Sequence, residues 1–229
     1  MTSPTTATPP LVCWHCQEKT KGPLFCSNCG KLQQTPREID YFVIFGLPRK
    51  LRLNESDLEK RFHELSWKLH PDKYMQATER ERELSLQHSS ELNDAYRTLR
   101  EPLARVEYLL SIEGARKEGE QRQQAPPELL EEVFELNESL DELKATRAAG
   151  GDLAALRAKL EAAEKSFGEK LGEVDAQLEN VFGEWDKAID AGADDAARKK
   201  LMSRMNEMLN RRSYIRNLVS NVGKELAEA

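Results

Sequence analysis

Apolar residues in this chain recur at steps of three and four along most of its length and hardly anywhere at steps of two, so the pattern predicts helices and almost no strand. Leu58, Phe62, Leu65 and Leu69 form one buried stripe. Asn54 is placed to cap that helix, Asp57 stands three residues on as a capping-box partner, and Pro71 stops it. Upstream, "DYFVIFGL" from Asp40 to Leu47 predicts a short helix that ends at Pro48. A third helix is predicted from about Thr78 to Leu99, with Leu84, Leu92, Ala95, Tyr96 and Leu99 facing inward. Pro102 interrupts it, and "PLARVEYLLSIEG" follows as a shorter helix that stops at Gly114.

Residues 115–126, "RKEGEQRQQAPP", are polar with Gly and Pro and predict a linker. Beyond it lie three longer helical seams. The first holds Leu129, Val133, Leu136, Leu140 and Leu143. The second runs from Leu153 through Leu160, Phe167, Val174, Leu178, Phe182 and Trp185 to Ile189. The third carries Leu201, Met205, Met208, Ile215, Val219, Val222 and Leu226. "AAGGD" and "DAGADD" supply the breaks, with Asp152 as a cap, so the seams fold most simply as an antiparallel three-helix bundle. Glycines 168, 172 and 183 weaken the second helix by about 1 kcal/mol each relative to alanine, which packing must offset.

Composition supports an all-α chain: aromatics are 7% and charged residues 32% of 229 residues. The net charge of -6 is uneven. Residues 1–112 carry 16 basic against 15 acidic groups, 113–190 carry 10 against 20, and 191–229 carry 8 against 5. An acidic middle argues against nucleic acid as its partner. No apolar run reaches the 18 residues of a membrane span. The first twelve residues, Thr/Pro-rich and expected to be disordered, lack the marks of a secretory or mitochondrial leader, so the expected address is the bacterial cytoplasm.

Reduced cysteines at that address favour metal over disulfides. Two Cys-x-x-Cys pairs, Cys13/Cys16 and Cys26/Cys29, are separated by nine residues, and Gly30 follows the second. Each pair presents two thiolates from one turn, and four sulfurs suit a closed, tetrahedral, structural Zn(II) site. Rubredoxin-like iron uses the same four ligands, so both metals stay open, and His15 reads as a spectator. The purpose of such a knuckle module could be docking, homodimerisation or stability.

"KLHPDKY", Lys68 to Tyr74, sets His70 and Asp72 on either side of a proline. Adjacent side chains orient each other poorly, and neither a nucleophile nor an oxyanion loop stands nearby, so no catalytic residue is assigned. Here "DYFVIFGL", "FHELSWKLHPDK" and "LNDAYRTLREPLARVEYLL" resemble the first helix, the second helix with its signature loop, and the third helix of the J domain of DnaJ-like co-chaperones. "PELLEEVFELNESLDEL" and the cysteine pairs are similar to the branch of that family devoted to iron-sulfur assembly, HscB. The resemblance implies that His70, Pro71 and Asp72, with Lys60, Arg61 and Lys68 on the preceding helix, are read by a DnaK/HscA-type ATPase. ATP hydrolysis would then occur in the partner, and this chain would not be an enzyme.

On the first bundle helix, Leu130 and Phe134 fall more than about 90 degrees from the seam, beside Glu131, Glu135 and Glu138. The residues alone fit either a rimmed protein-binding patch or a wide core stripe covered by another helix. The resemblance implies that Leu130, Phe134, Glu135 and Glu138, with Tyr214 from the last helix, bind an IscU-like iron-sulfur scaffold. The chain departs from the family pattern at Glu131, where relatives often carry an apolar residue, and at Asn137, where some carry a basic one. The expected order is therefore a disordered segment 1–12, a metal module 13–34, a J domain 37–114, a linker 115–126 and a client-binding bundle 127–229. A general J-domain chaperone for unfolded clients and a zinc-ribbon nucleic-acid binder are the competing readings. The first lacks its usual Gly/Phe-rich stretch and β-rich client domains, and the second lacks a basic surface.

Overall fold

A computed structural model describes residues 11–35, 39–116 and 126–228. The expectations for residues 1–10 and for most of the linker lie outside these residues, whereas Leu11 and Val12, expected within the disordered start, pair as a strand with Lys19 and Thr20 and so belong to the cysteine module. The chain divides into two compact units, Met1–Ile112 and Glu113–Ala229.

The first unit opens with two antiparallel two-residue strands, β1 (Leu11–Val12) and β2 (Lys19–Thr20), and continues with four helices. Helix α1 (Tyr41–Ile44) starts where the Asp40 carboxylate accepts from the Phe42 amide. It closes earlier than its apolar run suggests. Gly46, at φ 61°, reverses the chain in the left-handed region before Pro48 is reached, and the Leu47 amide returns to the Phe42 carbonyl. Helix α2 (Glu55–Leu69) begins at Asn54, whose side chain accepts from the Asp57 amide, and buries Leu58 and Leu69 fully, with Phe62 and Leu65 half-buried. Pro71–Tyr74 form one 3-10 turn. Helix α3 (Glu79–Arg100) is capped by Thr78, and α4 (Pro102–Ile112) follows directly. Leu92, Ala95 and Leu99 of α3 meet Val106, Leu109 and Leu110 of α4 in a core that also holds Phe42, Ile44 and Leu51. Arg105 lies inside this core at 3% exposure. Its guanidinium donates to the carbonyls of Leu99, Arg100 and Leu51, the first two of them acceptors at the C-terminal end of α3 that the helix cannot satisfy.

In the second unit a 3-10 turn at Pro127–Leu129 leads into α5 (Leu130–Ala148), α6 (Ala154–Asp190) and α7 (Asp195–Glu228). Gly150 at φ 68° and Gly192 at φ 63° make the two reversals. The next helices start where Asp152 accepts from Ala154 and Asp194 from Ala197. Cross-links show the antiparallel order: Glu132 to Lys170 between α5 and α6, and Asp175 to Arg212 and Glu184 to Arg204 between α6 and α7. Leu129, Val133, Leu136, Leu140 and Leu143 are buried against Leu160, Phe167, Val174, Ile215 and Val222. The α7 seam differs from its expected register. Met202 and Leu209 are buried, while Leu201 and Met208 are only half-buried, because a step of three or four from Met205 reaches both sets and packing against α6 selects between them.

Candidate functional site

The cysteine pairs form two copies of one knuckle. In the first, the Cys13 amide bonds to the Glu18 carbonyl and the Gln17 amide to the Cys13 carbonyl; in the second, Cys26 reaches Lys31 and Gly30 reaches Cys26 in the same way. The residue that closes each turn has positive φ, 62° at Gln17 and 72° at Gly30. The fold brings Cys13, Cys16, Cys26 and Cys29 together, with all four sulfurs within 4.8 Å of one another. The Cys13–Cys29 and Cys16–Cys26 sulfur distances are 3.6 and 3.7 Å. A tetrahedral ion with metal–sulfur bonds of about 2.3 Å requires sulfurs about 3.8 Å apart, close to the two distances above, so the four thiols could hold one tetrahedral metal ion. Amide hydrogens are already aimed at the sulfurs, from His15 and Cys16 to Cys13 and from Asn28 to Cys26, each at 3.4 Å. Burial opposes ionisation of Cys13, but hydrogen bonds from the Cys16 and His15 amides and the Cys16 and Cys29 thiols outweigh it and lower its pKa, while at Cys29 the Lys31 amide is outweighed by burial and the neighbouring thiols, which raise the pKa. His15 is exposed, its ring edge-on to Trp14, outside the sulfur cluster.

The module is fastened to α3, a feature the sequence pattern did not signal. The Lys31 ammonium, two residues past Cys29, donates to both oxygens of the Glu81 carboxylate at 2.8 and 3.0 Å. This bond raises the pKa of Lys31 and holds Glu81 below the usual carboxylate range. His88 is fully buried, with Nε2 2.7 Å from the Gln33 carbonyl and Nδ1 3.1 Å from Glu91. A carbonyl can only accept, so Nε2 carries hydrogen. Thr35 donates to Glu91, and the Arg80 guanidinium lies 4.7 Å from the centre of the Trp14 ring.

The His-Pro-Asp turn occupies the α2–α3 corner. Pro71 fixes the first position of the 3-10 turn, and His70 Nδ1 accepts from the Asp72 amide at 3.3 Å. The side chains of Asp72 and His70 are 78% and 52% exposed, and the Asp72 carboxylate, whose one oxygen lies 3.6 Å from His70 Nδ1, faces solvent. Beneath it the Leu69 carbonyl, last of α2, accepts from the hydroxyls of Ser85 at 2.6 Å and Ser89 at 3.1 Å. Tyr74 donates to the Lys68 carbonyl. Lys60 and Lys68 are exposed on α2, whereas Arg61 reaches back to the Phe45 carbonyl at 2.9 Å and ties α2 to the end of α1. Trp67, absent from the sequence-based set, is 69% exposed with the Lys73 ammonium 4.1 Å from its ring centre. Its place seven residues beyond Lys60, two helical turns on, was the available signal.

On α5, Leu130 and Phe134 are 55% and 64% exposed while their neighbours Leu129 and Val133 are buried. No second helix of the bundle covers them, and Glu131, Glu135 and Glu138 stand exposed alongside. Tyr214 behaves differently: it is half-buried against the bundle core, and burial raises its pKa.

No protein-family model matches the chain. Over 152 residues it is 36% identical to the co-chaperone protein HscB homolog of Vibrio vulnificus, an alignment spanning 66% of this chain and 86% of that protein. Over 173 residues it is 34% identical to the homolog of Vibrio cholerae serotype O1, spanning 76% of this chain and 96% of that one. The crystal structure of human co-chaperone protein HscB overlays with a TM-score of 0.59 at 24% identity, covering 94% of this chain and 98% of the human one.

Proposed function

The chain belongs to the HscB family of co-chaperones, and from that premise we propose that it stimulates the ATPase of a DnaK/HscA-type chaperone and delivers an IscU-like scaffold to it during iron-sulfur cluster assembly. The observation that carries this reading is the outward-facing His-Pro-Asp turn, whose Asp72 side chain is 78% exposed and whose preceding Leu69 carbonyl is held by the hydroxyls of Ser85 and Ser89. A pre-organised carboxylate suits a charge-assisted bond to an arginine of the partner. Lys60 and Lys68, with Trp67 between them in sequence, present a basic face with one aromatic anchor, suited to an acidic surface. Arg61, being engaged with Phe45, supports the shape of that face more than its charge.

The ATP chemistry takes place in the chaperone, so this chain performs no reaction of its own. Leu130 and Phe134, rimmed by Glu131, Glu135 and Glu138, form the client patch of an acidic bundle. Tyr214 has a weaker place in it, since its ring is partly spent on the core. Zinc at Cys13, Cys16, Cys26 and Cys29 supplies a cross-link between the two knuckles and no open coordination position. The test is single-turnover ATP hydrolysis by the chaperone in the presence of this protein or its Asp72→Asn variant. Stimulation by the native protein and its near-complete loss in the variant are expected; equal stimulation by both would sink the proposal.

A further inference from the structure

Helix α3 is poorly supplied with apolar side chains at its start. Between Glu79 and Glu91 the buried residues are Glu81, Leu84, Ser85 and His88, of which only Leu84 is a hydrophobe. Buried polar groups hold a helix in place only when they find partners. Two sets of partners are present, side by side. Glu81, His88 and Glu91 bond to Lys31, Gln33 and Thr35 of the cysteine module. Ser85 and Ser89 bond to the Leu69 carbonyl at the base of the His-Pro-Asp turn. The same four helical turns therefore face the metal module on one side and the turn on the other. Lys31, Gln33 and Thr35 follow directly on the knuckle that Cys26 and Cys29 close, and their backbone is tied to it: the Cys26 amide donates to the Lys31 carbonyl and the Gln33 amide to the Leu24 carbonyl. A four-thiolate segment of this size takes its folding free energy from the metal.

We propose that the four-cysteine module is a metal-dependent brace for α3 and, through Ser85 and Ser89, for the His-Pro-Asp turn. Metal loading at one end and order in the turn at the other are linked, and linkage is reciprocal. The inference rests on the proposed function only for the meaning of the turn; the linkage itself is a property of the isolated chain.

Amide hydrogen exchange on the full-length, zinc-loaded protein under reducing conditions tests it, before and after removal of zinc with a chelator. Exchange should speed up about tenfold or more across residues 69–74 and 79–91, while the seam of α5, α6 and α7 stays within about twofold. Unchanged exchange in α3 and the turn would overturn the brace, whatever the ATPase result. Lys31→Ala keeps all four thiols and removes the bond to Glu81. If this variant holds its zinc, its first α3 turn should already exchange faster and respond less to the chelator. If it loses zinc as well as protection, the linkage is read from its other end. A native-like response to chelation in Lys31→Ala would refute the route through Lys31 and Glu81.

Discussion

Truncating Leu130 and Phe134 together separates the proposed client patch from the fold that carries it. A fully buried Leu or Phe side chain is worth about 1.5 to 3 kcal/mol, and about 2.5 is a fair value for each. With 64% of Phe134 and 55% of Leu130 exposed, a partner that covered both would gain about 1.6 and about 1.4 kcal/mol. The Leu130→Ala/Phe134→Ala variant should therefore lose about 3 kcal/mol of binding, or about a hundredfold in Kd. The shares already buried in the bundle are smaller, so the stability cost should be about 1 kcal/mol per site. Leu136→Ala supplies the contrast: Leu136 is 3% exposed, and its truncation should cost about 2 to 5 kcal/mol of stability. Calorimetric titration against an IscU-type scaffold, with urea unfolding of each variant, reads both quantities. Affinity within threefold of the native protein would refute the patch, as would a loss of binding that merely follows loss of fold.

Gly168 and Gly172 lie inside α6 with open space where a Cβ would go, so alanine at each should raise the stability of the bundle by about 1 kcal/mol; an unchanged or lower urea midpoint would show a constraint that the helix surface does not reveal. Arg105→Met should cost about 3 kcal/mol or more, because bonds from a charged donor are lost and the carbonyls of Leu99, Arg100 and Leu51 remain buried; a loss below about 1 kcal/mol in chemical unfolding would show that those acceptors find other donors.

Apolar periodicity made most helices legible, and Asn54 marked the start of α2 because cap chemistry is local; at α6 the cap position falls on Leu153, with Asp152 one residue earlier accepting from the Ala154 amide. The cysteine cluster was legible for the same reason: each knuckle needs only a few consecutive residues. The angular offset of Leu130 and Phe134 was compatible with either an exposed pair or a wide core stripe, because a helix's own periodicity does not say which faces its neighbours cover, and their exposure was settled only by the packing of the 19-residue α5. What escaped was non-local and polar. Lys31 and Glu81 are fifty positions apart, and Gln33 and His88 fifty-five. A pattern that scores polar residues as outward has no means of predicting that Glu81, His88 and Arg105 turn in. The early end of α1 escaped because Gly46 lay hidden in an apolar run ahead of a more conspicuous proline.

The chain's three tryptophans fall in three different working parts. Trp14 donates its indole hydrogen to Leu32 inside the metal module, Trp67 stands in solvent four residues before Pro71, and Trp185 is fully enclosed in α6. Their surroundings differ enough to give each its own optical character: Trp67 open to aqueous quenchers and emitting at long wavelength, Trp185 shielded and blue-shifted, Trp14 between them beneath the Arg80 cation. Variants that keep one tryptophan at a time turn the molecule into its own set of reporters, in which metal loading, the proposed docking of a chaperone and unfolding of the bundle would each have a separate native signal and need no attached dye.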